Sequence, residues 1–233
     1  MIKDALSAHL RRATWSLLVL TSLSASGATA AQAQQFSADI VMRHDDVLAP
    51  AGRLRVQGGR VRIETVEHPD GFFLVDTVKP SAYFVRPGPG VYMEAKQSSR
   101  LTRLFVPLDP DAPCRQWQAM AHLSGVTGEG DWRCERVGEE TIGGHSTVAV
   151  RAVSGAGEGY VGWIDRERKF PLRIRCDDGA LITLEQIRDE PQPASSFEIP
   201  AAAQKFSPEA LIERIKQSDV WVSTPQDAGD SRP

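Results

Sequence analysis

Few residue groups in this 233-residue chain could do chemistry, and each sits among turn-forming residues. His44-Asp45-Asp46 offers an imidazole and two carboxylates, enough to ligate a metal or act as a base. They precede Ala49-Pro50-Ala51-Gly52, however, where a solvated turn is expected. Gly155-x-Gly157-x-Gly159 resembles a phosphate-binding loop but leads into Tyr160-Val-Gly-Trp163, which reads as a strand. No helix N-terminus would then face a phosphate, and the glycines are expected in a hairpin loop. Ser146 beside His145 follows Gly143-Gly144 and lacks the Gly-x-Ser-x-Gly elbow of a serine nucleophile, so a turn is expected there too. His68 and His122 stand alone. Asp165 opens the charged run Asp165-Arg-Glu-Arg-Lys169, which reads as a solvated loop. These groups assemble no triad, paired-carboxylate site or metal site, and the expectation is a protein without catalysis or cofactor.

Cys114, Cys134 and Cys176 are the three thiols. A zinc site is disfavoured by the lack of a Cys-x-x-Cys unit. Cys114 and Cys134 flank a segment rich in Gly, Asp and Ser with little else to hold it, whereas Cys176 falls in phase with Leu172 and Ile174 on an apolar strand face. A Cys114–Cys134 disulfide with Cys176 free is predicted, and closing a loop of about 20 residues stabilises by roughly 3 kcal/mol in the chain-entropy account. A disulfide fits export, and so does the N-terminus. Arg11-Arg12, an apolar core from Trp15 to Leu23 and small residues through Ala33 have the layout of a signal peptide over 1–33. That core is about half the roughly 20 residues needed to span a membrane. A soluble periplasmic protein is expected, with one domain over 34–222 and a polar, disordered tail over 223–233. Acidic residues outnumber basic ones, 30 to 27, and no basic stripe is present, which argues against nucleic acid as a partner.

The elements that would position any site are mostly strands. Phe36–Met42 is the first candidate. Leu54–Val56 and Val61–Ile63 follow, joined through Gly58-Gly59. A two-residue loop there pairs Val56 with Val61 and Leu54 with Ile63 on one face, and Arg53 with Glu64, Gln57 with Arg60 and Arg55 with Arg62 in the same ladder. Gly71–Val78, Ala82–Val85 and Val91–Met93 read as further strands, punctuated by Lys79-Pro80 and Pro87-Gly-Pro-Gly90. From Gln97 to His122 the spacing of Leu101, Leu104 and Phe105, then of Trp117 and Met120, predicts one or two short helices. Strands resume at Thr147–Val150 and Tyr160–Ile164. In the following hairpin a two-residue turn would set Arg175 against Ile182. A three-residue loop, Asp177-Asp178-Gly179, instead pairs Ile174 with Ile182 and Leu172 with Leu184, with Arg173 and Thr183 facing outward. Ser207-Pro208 begins a closing helix through about Lys216.

Gly162-Trp-Ile-Asp165, Phe170-Pro-Leu-Arg173, a strand ending at Ile187, then Pro193 and Phe197-Glu-Ile-Pro200 resemble the C-terminal half of the LolA-like, outer-membrane lipoprotein-sorting superfamily. Arg60-Val-Arg-Ile-Glu64, Tyr92-Met-Glu94 and the run from Trp132 to Gly144 around Cys134 are similar to an uncharacterised branch of it with a Cys pair. The resemblance implies a mainly β fold, a strongly curved, incomplete antiparallel barrel with short helices over its open side and an apolar cavity between. The functional expectation is a non-enzymatic periplasmic binding protein for a lipid, a lipoprotein acyl chain or another apolar ligand. Its cavity would be lined by one sheet face: Leu54, Val56, Val61, Ile63, Phe73, Val75, Tyr83, Val85, Leu172, Ile174, Ile182 and Leu184. The same side chains could instead fill a closed core. In that case an envelope-sensing or regulatory module, partnered by an envelope membrane protein or lipoprotein, is expected.

Overall fold

The computed structural model describes residues 34–95, 99–123, 132–208 and 212. The expected signal peptide, the tail and most of the expected closing helix lie outside them. Among the described residues one sheet of twelve strands carries the fold. A first meander runs through β1 (Gln35–His44), β2 (Val47–Gln57), β3 (Arg60–Thr65), β4 (Phe72–Asp76), β5 (Ser81–Arg86) and β6 (Val91–Glu94). Two helices follow, α1 (Arg100–Leu104) and α2 (Pro113–Leu123). A second meander runs through β7 (Arg133–Ile142), β8 (His145–Val153), β9 (Gly159–Asp165), β10 (Phe170–Cys176) and β11 (Leu181–Asp189). A 3-10 turn (Ala194–Phe197) leads to β12 (Gln204–Lys205), which pairs in parallel with β6. The strand order β12-β6-β5-β4-β3-β2-β1-β11-β10-β9-β8-β7 means that β1 and β11 join the meanders in mid-sheet, and that the sheet does not close.

One buried cluster runs from Phe36, Ile40, Leu54, Ile63 and Phe73 through Leu104, Phe105, Trp117 and Met120 to Ile164, Phe170, Leu172 and Ile174. Twelve strands laid flat at about 4.8 Å spacing would be roughly 50 Å wide. The eleven residues of α2 reach only about 16 Å. A single core can include both meanders and the helices only if the sheet curves around the helices, as in the half-barrel that the resemblance implies. Edge-on contacts of Phe170 with Phe36, 5.3 Å between centroids, mark the seam.

Two hairpins follow the register read from the sequence. Gln57–Arg60, Val56–Val61, Arg55–Arg62, Leu54–Ile63 and Arg53–Glu64 are all partners, and the Arg62 guanidinium donates to Glu64, 2.8 Å away, which relieves the Arg55–Arg62 juxtaposition. Ile174 pairs with Ile182 around the three-residue loop, and Gly179 takes φ 85°, a left-handed conformation open to glycine at no steric cost. Leu172 falls where the β9–β10 register shifts between Pro171 and Arg173.

Four expectations need correction. Ala49-Pro50-Ala51-Gly52 is not a turn but part of β2, with a bulge where the register shifts between Ile40–Gly52 and Val41–Pro50; a bulge accommodates a proline that cannot donate to the ladder. The turn falls instead at Asp45-Asp46, both at positive φ. Arg133–Ile142 is a strand and not a loop preface, and no apolar alternation marks it, because nine of its ten residues are exposed or half-buried and only Ile142 is buried. Tyr83 and Val85 do not share a face with Phe73 and Val75. Phe73 lies opposite Phe84 and Val75 opposite Ala82, which puts Tyr83 and Val85 with Phe72 and Leu74 in a second cluster on the outer face. Both strands are apolar at successive positions, so period alone could not set their parity. Finally, Asp165 is not a solvated loop carboxylate. It is 2 % exposed, accepts hydrogen bonds from the Glu167 and Arg168 backbone N–H groups, and pairs with the buried Arg168 guanidinium at 2.8 Å. Arg168 also reaches Asp189 at 2.5 Å and His145 Nδ1 at 2.9 Å, so the ion cluster pins the β9–β10 turn to β8 and β11.

Candidate functional site

The twelve sheet-face candidates are not gathered at one opening. Leu54, Val56, Val61, Ile63, Phe73, Val75, Leu172, Ile174, Ile182 and Leu184 all pack into the main cluster. Val75 and Tyr83 also border a cleft of about 410 Å³ beside the 3-10 turn, with Phe197 and Ile199 opposite. The His44-Asp45-Asp46 turn is exposed, and His68 rests against the Phe73 and Phe84 rings, 6.2 and 5.4 Å away. Among the described residues no three His, Cys, Asp or Glu side chains gather to hold a metal ion, and no helix is long and apolar enough to cross a membrane.

A different cleft, of about 390 Å³, opens where the helices meet the ends of β9 and β10. Its walls come from Arg100, Arg103 and Leu104 of α1, Trp117 of α2, Trp132 before β7, the loop from Ala156 to Gly159, Tyr160, Cys176, and Asp177-Asp178. Each wall has a local cause. Ser99 caps α1 by accepting from the Leu101 backbone N–H at 3.2 Å. The Trp117 indole N–H donates to the Leu104 carbonyl at 3.2 Å, which locks α2 against the end of α1. Trp117 also lies so close to Gly162 that a Cβ there would meet its ring at 2.8 Å, so glycine at mid-strand lets the helix approach the sheet. The Cys114–Cys134 disulfide, Cα–Cα 5.7 Å, ties the start of α2 to β7.

The glycine-rich loop is the hairpin turn expected of it, closed by the Ser154 N–H donating to Glu158 and the Gly157 N–H donating to Ser154; its position on the cleft rim was not legible in the sequence. Cys176 is free and buried.

Charge in the cleft is unevenly satisfied. Arg100 donates to Asp178 at 2.7 Å, a bond that raises the arginine and lowers the carboxyl from their ordinary pKa values. Arg103 is the more enclosed of the two, its side chain 21 % exposed, yet its carboxylate neighbour Glu158 is 4.0 Å away and largely in solvent. Tyr160 stacks edge-on between Trp117 and Trp132, at 4.9 and 5.8 Å, and its buried hydroxyl has no hydrogen-bond partner among the described residues. Burial pushes its pKa well up, and burial likewise raises the Cys176 thiol, so both are neutral at physiological pH. What results is a cleft with an aromatic wall, a neutral phenol and a loosely paired guanidinium.

No family model matches the sequence, and no curated protein sequence matches it. Similarity is found among solved structures. PNGF-II matches at 5 % identity over 79 % of this chain, with a TM-score of 0.49, and the chain spans about a third of that protein's length (33 %). MucB of Pseudomonas aeruginosa, solved in complex with MucA, matches at 14 % identity over 77 % of this chain and 61 % of that one, with a TM-score of 0.40. A putative outer-membrane lipoprotein-sorting protein domain from Vibrio parahaemolyticus matches at 9 % identity over 74 % of this chain and 92 % of that one, TM-score 0.35.

Proposed function

We propose that this chain is an exported, non-enzymatic binding protein of the periplasm that takes an apolar ligand, a lipid or acyl chain, into the cleft beneath its helices. Its domain over 34–222 follows a signal peptide at 1–33 and precedes a polar tail at 223–233. The observation that carries this reading is the cleft itself. At about 390 Å³ it has the size of a small-ligand site, and Leu104, Trp117, Trp132 and Tyr160 supply the apolar wall such sites use. The sheet-face residues are packed in the core, which supports seating the ligand at the helix-covered end of the sheet and not at its middle. Export is supported by the disulfide, which persists in oxidising compartments.

Solvent extraction of protein purified from its native envelope, followed by mass spectrometry, tests this. An amphiphile at near-stoichiometric yield is expected, and Ala156→Trp, which fills the cleft from its exposed rim, should abolish it. Equal yields from both proteins, or no amphiphile from either, would overturn the reading.

A second reading, an envelope-sensing module that binds a membrane protein or lipoprotein, is favoured by the tip of the β1–β2 hairpin, where Met42, Val47 and Leu48 are exposed. It requires that Val47→Asp with Leu48→Asp abolish co-purification of a stoichiometric envelope protein, while Ala156→Trp leaves it intact.

A further inference from the structure

Tyr160 and Arg103 are two groups in the cleft whose side chains make no hydrogen bond among the described residues. Tyr160 is 6 % exposed, and its hydroxyl lacks a partner. A buried phenol normally finds one, because the group loses its water on folding and recovers nothing. Every other part of the ring is well placed, wedged edge-on by two tryptophans. The orphan hydroxyl is thus held on a rigid support by a residue that lines the cleft. Arg103 lines the same cleft and is near enough to act on the phenol electrostatically. Its neighbour on α1, Arg100, donates to Asp178 at 2.7 Å. Among the described residues the carboxylate facing Arg103 is Glu158, beyond hydrogen-bond distance at 4.0 Å and on a side chain 66 % exposed.

We propose that the cleft selects an anionic amphiphile, with a carboxylate head seated between the Arg103 guanidinium and the Tyr160 hydroxyl and an apolar body against Trp117, Trp132 and Leu104. The guanidinium donates to one carboxylate oxygen and the phenol to the other, so ligand entry completes both groups at once. Three acids border the site, Glu158, Asp177 and Asp178, and all lie in exposed positions where water screens them. Asp178 is further neutralised by Arg100. Arg103 is the less exposed charge, and less screened charge weighs more per unit at the head-group position. This inference rests on reading the cleft as the ligand site, and it adds the chemistry of the head group.

The test compares decanoate with 1-decanol, which share an apolar chain and differ in charge. Binding to the full mature protein at pH 7.5 is measured by calorimetry, with tryptophan fluorescence reporting occupancy beside Trp117 and Trp132. Decanoate is expected to bind at least tenfold more tightly. Arg103→Gln and Tyr160→Phe should each reduce that ratio below threefold by weakening decanoate far more than 1-decanol, and an unchanged far-UV circular dichroism spectrum separates loss of head-group recognition from loss of structure. Equal affinity of the wild-type protein for the two compounds, or a tenfold ratio that survives both substitutions, would overturn the head-group proposal and leave the cleft reading intact provided the fluorescence still responds. Absence of binding by either compound, with no fluorescence response, would overturn the cleft reading and the present proposal together.

Discussion

The inner face of the sheet and the cleft at its end share β9 and β10, yet they treat side chains in opposite ways. On the inner face Leu172, Ile174, Ile182 and Leu184 are enclosed by other apolar groups, and their burial is stabilising at each position. In the cleft Tyr160 is enclosed just as firmly, but its hydroxyl was stripped of water without replacement. Between neighbouring strands, from β10 and β11 to the start of β9, the chain thus passes from a region organised for stability to one that gives some of it up. Uncompensated polar groups of this kind recur where a protein expects something from outside.

Four predictions sharpen or break this contrast. Ile174→Glu should have the largest effect. It puts a carboxylate without a partner at a site of 0 % exposure and should cost about 4 kcal/mol or more, read as a collapsed urea midpoint. Arg173→Glu, one residue away on the outer face, should cost about 1 kcal/mol, because it reverses an ion pair with Glu140 at 3.0 Å and removes the guanidinium from over the Trp163 ring. Similar losses from the two would dismantle the assignment of faces.

Replacing both Cys114 and Cys134 by Ser should cost roughly 3 kcal/mol, or a melting temperature lower by about 6–12 °C for a domain of this size. Because the bridge tethers α2, the cleft should suffer more than the sheet, with Trp117 emission shifting red before the strands melt. Thiol titration of the oxidised, denatured wild-type protein should count one free cysteine, Cys176.

Tyr160→Phe should act in the other direction. Removal of a buried hydroxyl that bonds to nothing should raise stability by about 1 kcal/mol in chemical denaturation. A loss of stability would mean that the hydroxyl is satisfied in the folded protein and that the cleft is no different from the core.

The smallest effect is in pH. Burial raises the folded pKa of the Cys176 thiol, so the native state keeps a proton that the unfolded chain releases from about pH 8.5. Stability from this group is complete below that value and is lost as pH rises, by ~0.8 kcal/mol at pH 9 if the native thiol remains protonated. Cys176→Ala should flatten the profile between pH 8 and 9.

The sequence by itself determined what depends on neighbours in the chain. The Gly58-Gly59 and Asp177-Asp178-Gly179 loops fixed their own hairpins, because a wrong loop length would have turned Ile63 or Ile182 away from the core. The Cys114–Cys134 pairing was legible because Cys176 had an evident place on an apolar strand face. Tertiary structure alone decided the rest. The parity of Tyr83 and Val85 depends on which strand face meets the core, and neighbouring apolar residues on both sides hide that choice. Asp165 and Arg168 looked like surface charge because the further partners of Arg168, Asp189 and His145, are distant in sequence. The cleft draws Arg103, Trp117, Trp132, Tyr160 and Cys176 from five separate segments. None is unusual where it stands in the chain, and it is the curvature of the sheet around the helices that brings an unpartnered phenol and a loosely paired guanidinium to one opening.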